Sequence, residues 1–129
     1  MTINRRAFLR TLLPTLLVPV LPPATPPVRL LSLGRFSIAG FRYYEGLEQV
    51  ASMRTGEALA LRPEPTNPYD ECAIEIYRGQ AKLGYVPRQE NAAIFRLLQQ
   101  NAPVTCRVTA VQPEAKPWEM VEVEVGLAV

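Results

Sequence analysis

Beyond residue 34, apolar positions recur every second residue through much of the chain, the period of strands with one buried face. Phe36, Ile38 and Gly40 alternate with Ser37, Ala39 and Phe41, which predicts a strand over Arg35–Phe41. Leu59 and Leu61 share a face in a second strand, Glu57–Arg62. Ile74 and Ile76 do so in a third, Ala73–Tyr77, with Glu75 and Tyr77 on the other side. A turn at Arg78-Gly79-Gln80 leads to a fourth, Lys82–Val86. Val104–Val111 and Val121–Val129 are the last two; in the final one Val121, Val123, Val125 and Leu127 face in, and Glu122 and Glu124 face out.

Two stretches change period. Leu47, Val50 and Met53 are spaced by three, predicting a short helix over Leu47–Arg54 that Thr55-Gly56 ends. Such a short helix must pack on the sheet to persist. Ile94, Phe95, Leu97 and Leu98 form an apolar stripe in a longer helix, Arg88–Asn101, ended by Asn101 and Pro103. Six strands, one longer helix and one short helix define a small, mainly β domain. Short strands with tight turns favour a closed or partly closed barrel, which hides strand edges.

Between the second and third strands lies Thr66-Asn67-Pro68-Tyr69-Asp70. Asn67 can hydrogen-bond its own backbone, and Pro68 fixes φ at one corner. The turn is therefore stiff, and it presents an aromatic ring beside a carboxylate. Arg42, Tyr43 and Tyr44 end the first strand, and Tyr85 and Arg88 close the fourth. Aromatic rings that stack on bases and arginines that meet phosphates are the means by which single-stranded nucleic acid is held. Against this stands the ordinary use of a tyrosine, half-buried with its hydroxyl in water. Sequence does not show whether the three clusters converge.

Charge narrows the classes further. The 129-residue chain carries +2, but three of its 14 basic residues, Arg5, Arg6 and Arg10, lie in the first 27 residues, which hold no acidic residue. The remaining 11 basic residues face 12 acidic ones. A duplex-coating protein would be expected to be more basic, so nucleic-acid contact should be small and local. There is no histidine, hence no serine–histidine triad; Cys72 and Cys106 have no partners for zinc; and no glycine-rich phosphate loop occurs. Asp70 is the only aspartate, against the clustered carboxylates of a nuclease. The expectation is a non-catalytic binding module with no metal and no cofactor.

The N-terminal segment has its own logic. Asn4-Arg5-Arg6-Ala7-Phe8-Leu9-Arg10 resembles a twin-arginine export motif, followed by an apolar run, Thr11 to Leu21, and a proline-rich exit, Pro22 to Pro27. Residues 1–27 are thus expected to be a signal and linker, and residues 28–129 the domain. The run is short for a membrane span. Export would place the domain in the periplasm or anchor it to the membrane through this segment alone. A tail that only mimics the motif would leave it in the cytoplasm.

Five blocks, in order, give a more specific resemblance: Ile38 to Gly46, Gly56 to Leu59, Glu64 to Asp70, Ala73-Ile74, and Leu83 to Asn91. Residues 36–111 resemble a HIRAN domain, a module fused to fork-remodelling helicases and also found alone or with nucleases in bacteria. The resemblance implies an OB-like β-barrel that binds the 3′ end of single-stranded DNA. It makes Tyr43 and Tyr69 the rings that stack on terminal bases. It makes Asp70 the carboxylate that accepts a hydrogen bond from the free 3′ hydroxyl. Arg42, with Arg88 as a second candidate, would meet phosphates, and Tyr44 and Asn67 complete the expected site. Where the family turn begins Arg-Glu-Pro, this chain has Pro63, with the arginine one place earlier at Arg62; a one-residue shift turns a strand side chain to the other face. Two alternatives stand beside DNA-end binding. One is an exported barrel for a peptide or other ligand without DNA affinity. The other is a hydrolase-associated domain, by analogy with the fused helicases. Export would also permit a Cys72–Cys106 disulfide, if the two lie close enough.

Overall fold

A computed structural model describes residues 29–129, together with Pro19. The twin-arginine reading falls outside the described residues. Six strands form one antiparallel sheet: β1 Leu30–Ser37, β2 Ala58–Pro63, β3 Ile74–Arg78, β4 Ala81–Tyr85, β5 Val104–Val111 and β6 Val121–Ala128. Their spatial order is β1-β6-β5-β2-β3-β4. A one-turn helix, α1 Gly46–Gln49, continues as a 3-10 turn over Val50–Ser52. The longer helix, α2 Asn91–Gln99, is entered through a 3-10 turn at Arg88–Glu90. The sheet curls without closing by a ladder. A single antiparallel bridge joins Ala39, just beyond β1, to Tyr85 of β4, with two backbone hydrogen bonds of 2.9 Å. This is the mainly β six-stranded architecture with one longer and one short helix that the pattern predicts, and it is compatible with the OB-like barrel that the family resemblance implies.

The alternating positions make the core. Ile74, Ile76, Leu83, Val121, Val123 and Val125 are buried, joined by Phe36, Ile38, Phe41 and by Ile94 from α2. Cys106 is buried in β5 opposite Leu59 and Val125. Burial pushes its thiol up to about 12. Cys72 lies just before β3, and both cysteines are free thiols, so the disulfide option is not realised.

The first strand departs from expectation. It runs over Leu30–Ser37 because β6 offers a partner at every step from Ala128 back to Glu122, apart from one bulge near Leu33. At Gly40 the backbone turns left-handed, with φ 70°, and Phe41–Tyr43 becomes a 3-10 turn closed by the Tyr43 amide donating to Gly40 O at 2.9 Å. Phe41 thereby turns inward instead of alternating outward. Gly46 sits against its ring, and a Cβ there would fall 2.6 Å from the ring carbons. Arg42, Tyr43 and Tyr44 accordingly sit on and just after a 3-10 turn rather than at a strand end. In the short helix Val50 and Met53 are buried as expected, but Leu47 is exposed. One helical turn followed by a tighter one does not keep the three residues on one line.

Candidate nucleic-acid interface

The turn between β2 and β3 is tied at three levels. Its ends are pinned by the Glu64 amide donating to Ala73 O (2.8 Å) and the Ala73 amide donating to Asp70 O (3.1 Å). Its middle is an Asx turn: Asn67 Oδ1 accepts from the amides of Tyr69 (2.8 Å) and Asp70 (3.1 Å). Asp70 then secures the exit from the turn, Oδ1 accepting from the Cys72 amide (3.0 Å) and Oδ2 from Asn91 Nδ2 on α2 (2.8 Å). Asn91 is the one buried polar side chain among the described residues, 3% exposed. The ring of Tyr69 is by contrast 84% exposed. A stiff backbone thus carries a ring that the protein itself leaves in water.

Beneath the turn runs a chain of side-chain hydrogen bonds. Asn67 Nδ2 donates to Glu64 Oε1 (2.6 Å), and the same oxygen accepts from the Tyr85 hydroxyl (2.8 Å). Tyr85 in turn accepts from Lys82 Nζ (2.9 Å), which also pairs with Glu75 Oε2 at 3.1 Å. The Lys82 ammonium lies 4.3 Å from the ring centroids of both Tyr44 and Tyr85. Those rings meet edge to face at 5.8 Å. Lys82 and Tyr85 are three apart in a strand, and regular alternation would send them to opposite faces. The register shift between β3 and β4 pairs Tyr77 with Lys82 but Glu75 with Tyr85, which restores both to one face. Gly84, at φ 151°, is the residue that permits the bulge. A Cβ there would lie 2.3 Å from Ala39 O.

Electrostatics follow from these bonds. The hydrogen bond from Asn67, then that from Tyr85, holds the Glu64 carboxyl below its ordinary value. Burial raises the Tyr85 phenol. Burial opposes charge on Lys82, but its bonds to Tyr85 and Glu75 outweigh this and raise its pKa. The group is therefore an ammonium throughout the physiological range.

Above this floor opens a cleft of about 560 Å³. Five of the seven expected site residues line it: Tyr44, Asn67, Tyr69, Asp70 and Arg88. The far flank of the turn forms a second hollow, about 490 Å³, that shares Asn67, Tyr69, Asp70 and Arg88. Arg88 therefore stands where the two hollows meet. Arg42 and Tyr43 are not in the main cleft. They line a separate depression of about 190 Å³ with Pro117 and Trp118. Tyr43 is 74% exposed there, with Arg42 5.3 Å from its ring centroid. Arg62 is elsewhere, stacked on Tyr77 at 4.0 Å and away from the cleft lining. The sequence pattern places Glu64 in a motif block and Tyr85 at a strand end without giving either a place in the site, and it leaves Lys82 and Trp118 unassigned. The signal for the first three is Gly84, since a glycine inside a strand marks a bulge or a close backbone approach.

Among the described residues no cluster of three or more acidic or cysteine side chains could hold a metal ion. No described helix is long and apolar enough to cross a membrane.

A small OB-like sheet whose β2–β3 turn displays an aromatic ring and a carboxylate over an open cleft defines a class of binding domain. The HIRAN domain family model matches residues 32–129, and the chain belongs to that family of nucleic-acid-binding modules. Among solved structures the chain is similar to a protein from Lactobacillus plantarum, with 26% identity and a TM-score of 0.67, over 79% of this chain and 98% of that one. It is also similar in fold to the HIRAN domain of human HLTF, with 20% identity and a TM-score of 0.60, over 77% and 78% of the two chains. No curated protein matches the sequence.

Proposed function

We propose that the domain binds the 3′ end of single-stranded DNA, and that it does so without catalysis of its own. The observation that carries this reading is the 84% exposed Tyr69 ring beside the Asp70 carboxylate on a turn fixed at every level. A ring held out on a rigid support loses little entropy when a base stacks on it. Asp70 already accepts two hydrogen bonds, but each carboxylate oxygen has a second lone pair, so it can take a third from a sugar hydroxyl. A terminal phosphate would instead meet the carboxylates of Asp70 and Glu64 in the same cleft. Arg88 supplies a cation at the rim. Tyr43 and Arg42, with Trp118 in the neighbouring depression, offer a second surface for bases and backbone further along the strand.

Fluorescence anisotropy with a short labelled oligonucleotide tests this. The 3′-hydroxyl form is expected to bind about tenfold or more tightly than the 3′-phosphate form, the scale of a hydrogen bond to a charged group. Tyr69→Ala and Asp70→Ala are expected to weaken binding, and Asp70→Asn to narrow the gap between the two ends. Equal affinity for both ends would remove Asp70 from the role. Export by the leader belongs to the same proposal: a tagged full-length chain should reach the periplasm or membrane, and Arg5→Lys with Arg6→Lys should retain it inside.

A further inference from the structure

The side chains that aim the turn are fixed by a set of bonds whose direction is chemically determined. An ammonium only donates. Lys82 Nζ, 2.9 Å from the Tyr85 oxygen, obliges that hydroxyl to accept, so its single proton goes to Glu64 Oε1 at 2.8 Å. Glu64 is an acceptor, so the Asn67 group facing the same oxygen at 2.6 Å must be the Nδ2 amine. The opposite end of that amide, Oδ1, is then directed at the amides of Tyr69 and Asp70. A flipped Asn67 would present donors to donors at one end and an acceptor to an acceptor at the other. The same ammonium holds the Tyr44 ring, which forms part of the cleft wall, at 4.3 Å.

We propose that Lys82, Tyr85 and Glu64 form a positioning unit that sets the aim of the Tyr69–Asp70 turn and ties it to Tyr44. The aim of the turn matters to binding through the DNA-end reading above, on which this part of the proposal rests. Lys82 does not line the cleft and acts through Tyr85 and Tyr44. Tyr85 and Glu64 line the cleft floor, so their effect on the turn must be separated from direct contact with a ligand. Glu64 is well suited to the central place, because one of its oxygens serves both neighbours and neither neighbour can supply the other's bond. Tyr85→Phe removes the hydroxyl and keeps the ring against Tyr44, so it cuts the relay between Lys82 and Glu64. Lys82→Met removes the charge that orders the direction of the bonds and keeps the length of the stem. Glu64→Gln keeps a carbonyl oxygen that can accept from both Tyr85 and Asn67, whereas Glu64→Ala keeps nothing.

Amide hydrogen exchange by NMR on the free protein tests the aim of the turn with no ligand involved. Tyr85→Phe, Lys82→Met and Glu64→Ala are expected to speed exchange at the Tyr69 and Asp70 amides about threefold to tenfold, the loss of one net hydrogen bond, while the amides of β5 and β6 stay protected. Glu64→Gln should restore slow exchange. Unchanged protection at Tyr69 and Asp70 in Tyr85→Phe and Lys82→Met would overturn the proposal, as would a uniform loss across the sheet, which marks a purely structural role. The same variants are then titrated with the 3′-hydroxyl and 3′-phosphate oligonucleotides. Lys82→Met is expected to reduce the preference for the hydroxyl end by a similar factor, whereas Glu64→Gln, which also takes a carboxylate out of the cleft, is judged by exchange alone. If the wild-type chain binds neither oligonucleotide, the DNA-end reading fails while the exchange result still decides whether the unit aims the turn. If the wild type discriminates and Lys82→Met discriminates equally well, the positioning unit fails while the DNA-end reading stands.

Discussion

Asn91, at the start of the longer helix, donates its side-chain amide to Asp70 Oδ2 at 2.8 Å, and so the helix holds the carboxylate that the turn displays. The donor is 3% exposed, with little water available to replace it or to solvate it alone. Asn91→Ala is expected to destabilise the domain by about 1–3 kcal/mol, the range for a buried hydrogen-bond partner removed. Asn91→Asp should be worse at neutral pH, because it sets a second carboxylate against the first, and its penalty should shrink in acid. Urea denaturation at pH 7 and pH 5 measures both. An Asn91→Asp variant as stable as Asn91→Ala at pH 7 would show that the two side chains do not meet.

Gly84 closes the sheet in a different sense. Its φ of 151° and the 2.3 Å approach of any Cβ to Ala39 O mean that a side chain and the Ala39–Tyr85 bridge exclude one another. Gly84→Ala is expected to cost about 3 kcal/mol or more, since backbone strain and a lost bridge act together. Gly79→Ala is the control. That turn also has a left-handed φ, 60°, but nothing lies within 4 Å, so the expected cost is only about 1 kcal/mol. Thermal or urea unfolding ranks the two, and equal costs would contradict the close approach.

These two positions also show what sequence can and cannot tell. The period of two places Val121, Val123 and Val125 inward, and all three are buried. Asn67 and Pro68 announce a stiff turn, because the means of stiffening it are local. The relay under that turn is not legible in the same way. Glu64 and Tyr85 are 21 positions apart and meet only through the β2–β3–β4 ladder, with a bulge that breaks the alternation by which side chains are assigned to faces. Phe41 escapes the pattern for a similar reason. One left-handed residue, Gly40, ends the alternation a step earlier than the apolar pattern does, and moves Arg42 and Tyr43 toward Trp118 rather than into the main cleft.

Acid should loosen the domain at both ends of β2, where Glu57 precedes the strand and Glu64 follows it. Glu57 is held below its ordinary 4.5, first by its hydrogen bond with Arg78. Glu64 is held below 4.5, first by Asn67 and then by Tyr85. A carboxyl whose folded pKa lies below its unfolded one contributes stability that is complete above the unfolded value. That contribution is lost as pH falls through the folded value. The urea midpoint is therefore expected to drop as pH falls below the ordinary 4.5 of these carboxyls, and to drop less in Glu57→Gln and Glu64→Gln, which have no such proton to take up. Comparison of midpoints at pH 7 and pH 3 checks this. Variants that lose as much as the wild type between the two values would assign the acid sensitivity to other carboxylates.

Salt separates the few phosphate contacts expected here from a general attraction to polyanions. Residues 28–129 hold slightly more acidic than basic residues, and the cleft contains the carboxylates Glu64 and Asp70. Among the described residues, Arg88 is the one cation that lines the main cleft, and Arg42 the one that lines the neighbouring depression. Each neutralised phosphate of a single strand contributes a slope of about −0.7 to log K against log salt concentration. Two arginines therefore predict a slope of about −1.4 on the same rule, far shallower than a basic duplex binder gives. Arg42→Gln and Arg88→Gln should each flatten the slope by about 0.7 and weaken binding whichever group ends the strand. Tyr69→Ala should weaken binding and leave the slope alone, because stacking releases no counterions. Anisotropy titrations at several salt concentrations give all of these slopes. A steep slope that Arg42→Gln and Arg88→Gln leave unchanged would mean that the strand follows another face of the sheet.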